Sequence, residues 1–175
     1  MRSGAMSCRP SPMKSTNRWS KTMPEPVVKT IDVPCDQATA FRIFTQNMDA
    51  WWPKDRHSIS AKTGDTARSV SMEPRAGGVV TEIGHDGTHH HWGSVREYEP
   101  NARLSLLWHI NLPAEQATLV DIAFEPQETG TRVTLRHHGW EAMGDAAQTM
   151  RDGYESGWVG VFETAFAEAC RAEAA

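Results

Sequence analysis

The sequence predicts an α+β domain: a curved antiparallel sheet wrapped around a long C-terminal helix. Three observations predict it. From Asp145 to Arg171, Met150, Tyr154, Trp158, Val161, Phe162, Ala165, Phe166 and Ala169 recur at steps of three and four, the spacing of one apolar stripe on a helix. Upstream, short β-branched and alternating segments follow one another with tight turns between them, which requires antiparallel pairing. Helical patterns occur only after the first strand and at the end of the chain, so strands and helices do not alternate as in a parallel α/β fold.

Val27 to Val33 alternates and is β-branched, and reads as the first strand. Pro34 ends it, and Asp36 is placed to cap a short helix carrying Ala38, Phe41, Ile43 and Phe44. Met48, Trp51 and Trp52 form a second helical turn stopped by Pro53. Six strands follow: Ala67 to Met72, Val79 to Gly84, His89 to Tyr98, Arg103 to Ile110, Ala117 to Phe124 and Arg132 to His138. Pro74 to Gly78, Asp86-Gly87, Glu99 to Asn101 and Glu128 to Gly130 carry turn chemistry. The final helix is expected to start at Asp145 with Gln148 completing its cap. Gly153, Gly157 and Gly160 should kink its first half or admit another backbone.

Period two places Leu104, Leu106, Trp108 and Ile110 on one face, with Val120, Ile122 and Phe124 on one face of the next strand and Val133, Leu135 and His137 on one face of the last. These faces should bend around the final helix. The helix stripe either packs as plain core or lines, in part, a hollow between sheet and helix. The Trp51-Trp52-Pro53 corner either seals one end of the sheet or roofs such a hollow.

The bulk properties limit the function. The 175 residues fit one domain, with residues 1–25 a basic, acid-poor leader expected to be disordered and residues 26–175 the folded unit. A net charge of -4 argues against a general nucleic-acid binder, and no apolar run reaches the length of a membrane span. Cys8, Cys35 and Cys170 are odd in number and lack zinc-site spacing, which suggests a reducing, cytoplasmic setting without a disulfide framework.

Seven Trp and eight His are the unusual features. His89, His90 and His91 resemble a metal tract, but on a strand two face one side and one the other, so a metal would need a third ligand from His57, His109 or His137. The expectation is no metal and no cofactor, with hydrogen-bonded or exposed imidazoles on a hairpin. His137, on the inward face, could fix a ligand oxygen or act as a base, or it could be a satisfied structural histidine. Glu82 and Asp121 are expected to form solvated ion pairs with Arg96 or Arg136 across strands. Neither a nucleophile elbow nor a phosphate loop is present, so no catalytic residue is named.

Several short motifs, in order, carry a resemblance: Val33-Pro34 leading to Ala40-Phe41, Trp51-Trp52-Pro53, Glu73 to Gly78, Asp86-Gly87, Trp92 to Val95, Glu99-Pro100, Leu104 to Trp108, Thr129 to Val133 and Gly157-Trp158. The chain, over about Val27 to Ala172, resembles the helix-grip fold of the START/Bet v 1-like (SRPBCC) superfamily, and within it the domain named for activators of the Hsp90 ATPase (AHSA1-like). The resemblance implies three functions. The first is binding of a small apolar molecule between sheet and helix, lined by Trp51, Trp52, Trp108, His137, Trp158 and Phe162. The second is a cyclase- or hydrolase-type enzyme using the same cavity. The third is a module acting on a chaperone partner, although the chain carries no counterpart of the extra N-terminal domain of full activators of that kind. The superfamily hosts all three, so fold alone does not choose.

Overall fold

A computed structural model describes residues 23–175. The leader expected over residues 1–25 lies outside the described residues as far as residue 22. The seven expected strands are present: β1 (Val27–Val33), β2 (Ser69–Met72), β3 (Val79–Ile83), β4 (His89–Glu99), β5 (Arg103–Trp108), β6 (Thr118–Gln127) and β7 (Gly130–His138). They form one antiparallel sheet in the order β1-β7-β6-β5-β4-β3-β2. The chain therefore pairs its first strand with its last, and the sheet curls into a half-barrel. After β1 come α1 (Gln37–Gln46) and α2 (Met48–Trp51). Asp36 caps α1 as expected, its side chain accepting from Thr39 N at 2.8 Å.

The concave face holds the core. Leu104, Leu106 and Trp108 of β5, Val120, Ile122 and Phe124 of β6, and Val133, Leu135 and His137 of β7 are all buried. The C-terminal helix fills that face with Trp158, Val161, Phe162, Phe166 and Cys170. Its edge is tied to β1 by Lys29 and Glu155 at 2.6 Å.

The helix departs from expectation in two ways. It starts at Ala147 rather than being capped at Asp145; a tight turn (Trp140–Ala146) precedes it, with Gly144 at φ 54° and ψ -125°. It is also not α-helical throughout. α3 (Ala147–Trp158) passes into a π-helical segment (Val159–Phe166) before α4 (Ala167–Ala174). The Thr164 hydroxyl bonds the Val159 carbonyl, five residues back, at 3.0 Å. Gly153 and Gly157 face open space, so neither admits another backbone; at Gly160 the near neighbour is the His57 ring, with Nε2 3.2 Å from where a Cβ would stand.

Strand β4 contains a bulge. Val80 pairs with Gly93 and Thr81 with His91, so Trp92 is the extra residue, and it is wholly buried. A bulge re-aims one side chain, and here it turns the indole into the core. Glu82 of β3 meets it there. The expectation of a solvated ion pair for Glu82 is wrong: it is fully buried and bonds neither Arg96 nor Arg136. Its carboxylate accepts from Trp92 Nε1 (3.0 Å), Ile59 N (2.7 Å), Ser60 N (3.0 Å) and Ser60 Oγ (2.9 Å). Four donors replace the water a buried carboxylate loses. Asp121 also differs: it accepts from Ser105 Oγ and His138 Nε2, each at 2.6 Å. Burial opposes its ionisation, but these two bonds outweigh burial and hold the carboxyl below its usual range.

Glu82 thus anchors the segment after α2 to the sheet. Replacing it with Gln points an amide N–H at groups that are themselves donors, at a cost of roughly 2–4 kcal/mol. Glu82→Gln should lower the urea midpoint accordingly and raise hydrogen exchange first at Ile59 and Ser60. An unchanged midpoint would mean that the carboxylate is not what holds this segment.

Candidate functional site

Four indoles meet at one end of the sheet. Trp52 from the corner, Trp92 from the bulge, Trp108 from the end of β5 and Trp158 from the helix have ring centroids 5.2–6.3 Å apart in five pairs. Such rings are large, so each buries much apolar area, but each also brings an N–H that needs an acceptor. Trp52 Nε1 donates to His57 O (2.6 Å), Trp92 Nε1 to Glu82 (3.0 Å) and Trp158 Nε1 to His137 Nδ1 (3.0 Å). Trp108 Nε1 and Trp140 Nε1 are the buried side-chain polar atoms without a hydrogen-bond partner among the described residues.

Beside this cluster lies a recess of about 260 Å³. Trp52, Trp108 and Trp158 form part of its wall, joined by Ile110, Met150, Tyr154 and Val161. The segment after α2 supplies the rest: Arg56, His57, Ser58 and Lys62. Arg56 and Lys62 are exposed and stand at the mouth; the lining contains no Asp or Glu. His57 is half-buried. Burial, and then the neighbouring Arg56 charge, push its pKa below the ordinary value. Burial pushes Tyr154 up to about 12, so its hydroxyl stays protonated. That hydroxyl lies close enough to Trp108 to be influenced by it, yet the pair falls outside hydrogen-bond geometry.

The six residues singled out from sequence divide into two groups. Trp52, Trp108 and Trp158 face the recess. Trp51, His137 and Phe162 sit in the surrounding core. Trp51 packs on Phe44 and Phe166, with its N–H on Ile43 O at 2.8 Å. Phe162 is fully buried and stacks on Phe166.

His137 is fully buried between Trp140 and Tyr154, at ring distances of 4.3 and 4.5 Å. Its hydrogen bonds define its tautomer. The indole of Trp158 can only donate, so Nδ1 is an acceptor and the proton is on Nε2. Nε2 then donates to Thr118 Oγ1 (2.7 Å), whose hydroxyl donates to Trp108 O (3.2 Å). Both ring nitrogens are engaged, so His137 holds two recess indoles in place and has no free lone pair for a ligand. Burial, and secondarily His138, lower its pKa to about 3. In the hairpin tract, His91 Nε2 lies 2.7 Å from Gly93 O and its ring meets His109 edge-on at 4.9 Å. Among the described residues no group of three or more His, Cys, Asp or Glu is placed to hold a metal, and no helix is long and apolar enough to cross a membrane.

The family described as activator of Hsp90 ATPase homolog 1-like protein matches residues 34–167, a span that includes the corner, strands β2 to β7 and the recess. The chain belongs to this family. A search of curated proteins by sequence finds no match. Among solved structures, Txn09, an anthrahydroquino-gamma-pyrone synthase complexed with SUM, is similar at 26% identity and TM-score 0.60, covering 83% of this chain and 97% of its own. CalC, a self-sacrificing resistance protein from Micromonospora echinospora, is similar at 23% identity and TM-score 0.63, covering 86% and 97%. Protein MLL2253 from Mesorhizobium loti is similar at 18% identity and TM-score 0.60, covering 81% and 94%. At the identities of the last two, likeness speaks to the AHSA1-like fold alone.

Reasoning from sequence missed Arg56, Ser58 and Lys62 and named His57 only as a possible metal ligand; all four lie in an irregular segment where no periodicity assigns a face. Tyr154, Met150 and Val161 were legible as helix stripe, but not as recess wall.

The buried neutral His137 makes stability depend on pH. The unfolded chain binds a proton there near the ordinary 6.5, the folded chain only near 3. Stability is therefore unaffected above about 6.5 and falls as pH drops from there toward 3, by about 1.4 kcal/mol per pH unit from this group. His137→Gln can keep both hydrogen bonds without titrating. Urea melts between pH 7 and 4 should show a shallower decline in the variant by that amount; parallel declines would mean that His137 is protonated inside the fold.

Proposed function

We propose that this AHSA1-like domain binds a small, largely apolar molecule in the recess between β5, the segment after α2 and the C-terminal helix. The observation that carries this reading is the recess itself: about 260 Å³ beside four clustered indoles. Its size is near the lower end of ligand sites, roughly 300–1,000 Å³, and its wall has their usual character of apolar rings with a few polar groups. Trp52, Trp108, Trp158, Tyr154 and Val161 provide the apolar contact. Trp51, His137 and Phe162 form the support behind that wall. Txn09, the synthase complexed with SUM, has the same fold and lends the reading support.

Two features favour binding over the other functions. His137, the acid–base candidate that the sequence offered, has both nitrogens occupied and so is not free to act as a base there. The large hydrophobic residues exposed among the described residues are Met23, Val28, Leu107 and Val159, four single positions on separate segments. Scattered exposure of that kind is ordinary for a protein surface and does not suggest a chaperone-docking patch.

Native mass spectrometry of the purified protein, followed by denaturation and extraction, tests the proposal. A retained small molecule is expected in wild type, and Gly157→Trp, which places an indole in the recess, should release it without unfolding the domain. Retention undiminished in that variant would put the molecule elsewhere.

A further inference from the structure

We infer that Cys35 and Cys170 are an oxidation site: a small disulfide oxidant joins their two sulfurs and ties the start of α1 to α4. The pair lies apart from the recess and does not rest on the binding reading.

Cys35 and Cys170 stand far apart in the sequence, and the fold brings them together. Cys35 lies in the turn between β1 and α1, and Cys170 lies on α4. Both are free and buried, at 5% and 0% exposure, and both belong to the core. The two side chains interact directly, thiol to thiol. Partners on either side fix their positions. The Cys35 carbonyl accepts from Thr131 Oγ1 at 2.9 Å, and Asp36, the next residue, caps α1. α1 in turn is held to the C-terminal helix by Phe44 on Phe166, ring centroids 5.2 Å apart, and by Arg42 with Glu173 at 2.7 Å. The two sulfurs are therefore neighbours in the folded chain, which gives the second thiol a high effective concentration at the first.

Burial controls their reactivity. It is the largest influence on both thiols and pushes both up, so each stays protonated and unreactive while the core is closed. Reaction requires local opening, and Cys170 borders the part of α4 that opens most readily. Residues 171–175 are exposed, and an exposed ion pair such as Arg42–Glu173 is a weak tether. Once that turn lifts, a thiol returns to its ordinary range and loses its proton. With oxidised glutathione as the oxidant, the thiolate attacks one glutathione sulfur, forms a mixed disulfide and expels one glutathione thiolate. The second protein thiol loses its proton, attacks the protein sulfur of the mixed disulfide and expels the other glutathione thiolate. The protein gives up two electrons and two protons, and the oxidant becomes two molecules of reduced glutathione. The new bond closes a loop that spans most of the folded unit, so it stabilises chiefly by restricting the unfolded chain.

The test uses the full-length folded protein, incubated with oxidised glutathione, quenched in acid, alkylated, digested and mapped by mass spectrometry. A Cys35–Cys170 link is expected, with neither residue alkylated and with reversal by dithiothreitol. The oxidised protein should melt roughly 10 °C above the reduced one. Cys8→Ser should leave the link unchanged, whereas Cys35→Ser and Cys170→Ser should each abolish it; the wild-type map decides alone if a serine in the core prevents folding. Glu173→Ala should speed the linking about two- to fivefold; an equal rate overturns access through that turn. Cysteines 35 and 170 that stay reduced, that stop as separate mixed disulfides with glutathione, or that pair with Cys8 overturn the assignment.

Discussion

The structure depends on one constraint: an indole buried between sheet and helix loses the water that its N–H would bond, and three of the four clustered here recover an acceptor within the chain. Four indoles converge at one end of this sheet, and the surrounding polar architecture follows from them. Glu82 is buried because Trp92 and the backbone of Ile59 and Ser60 supply it with donors. His137 is buried and neutral because Trp158 needs its lone pair. His57 gives its carbonyl to Trp52 and rests its ring against Gly160, which has no side chain to exclude it. Each of these polar groups would destabilise the core if it stood alone. Paired with an indole, each joins two elements of the fold.

These pairings also explain the position of the recess. The segment after α2 has no repetitive structure, yet it is held at both ends of its path: Trp52 and His57 on one side, Ser60 on Glu82 on the other. It is therefore a fixed wall. Opposite it, α3 passes into the π-helical segment next to Trp158, and π turns within α-helices often mark functional sites. The wider turn lets Trp158, Val161 and Phe162 all remain buried while Gly160 faces the His57 ring. The wall and the helix are thus held apart at one place, and the space between them remains unfilled.

Membership of the AHSA1-like family does not by itself select an activity, because the fold is a scaffold on which sites are built. The distinguishing content is local. Apolar stripes and inward strand faces make the sheet and helix, whereas the recess is made by the clustered indoles and the segment that carries Arg56, His57, Ser58 and Lys62.

The sequence by itself determined the architecture. Period-two alternation, turn residues and a period-3.6 stripe are local signals, and they carried the seven strands, the Asp36 cap, the inward faces of β5, β6 and β7, and the helix that fills them. It also marked Trp52, Trp108 and Trp158 as residues of one sheltered region. Tertiary structure alone decided the rest, because those features depend on partners far apart in the chain. The Glu82 ion-pair expectation failed because its donors come from residues 22 and 23 positions away and from a bulge that no alternation pattern announces. His137 looked free to meet a ligand until Thr118 and Trp158, 19 and 21 residues away, occupied both its nitrogens. The helix start moved from Asp145 to Ala147 because the chain still had to turn through Gly144 at a positive φ. Arg56, His57 and Lys62 entered the site only through the path of an irregular segment, which is set by long-range hydrogen bonds rather than by the residues within it.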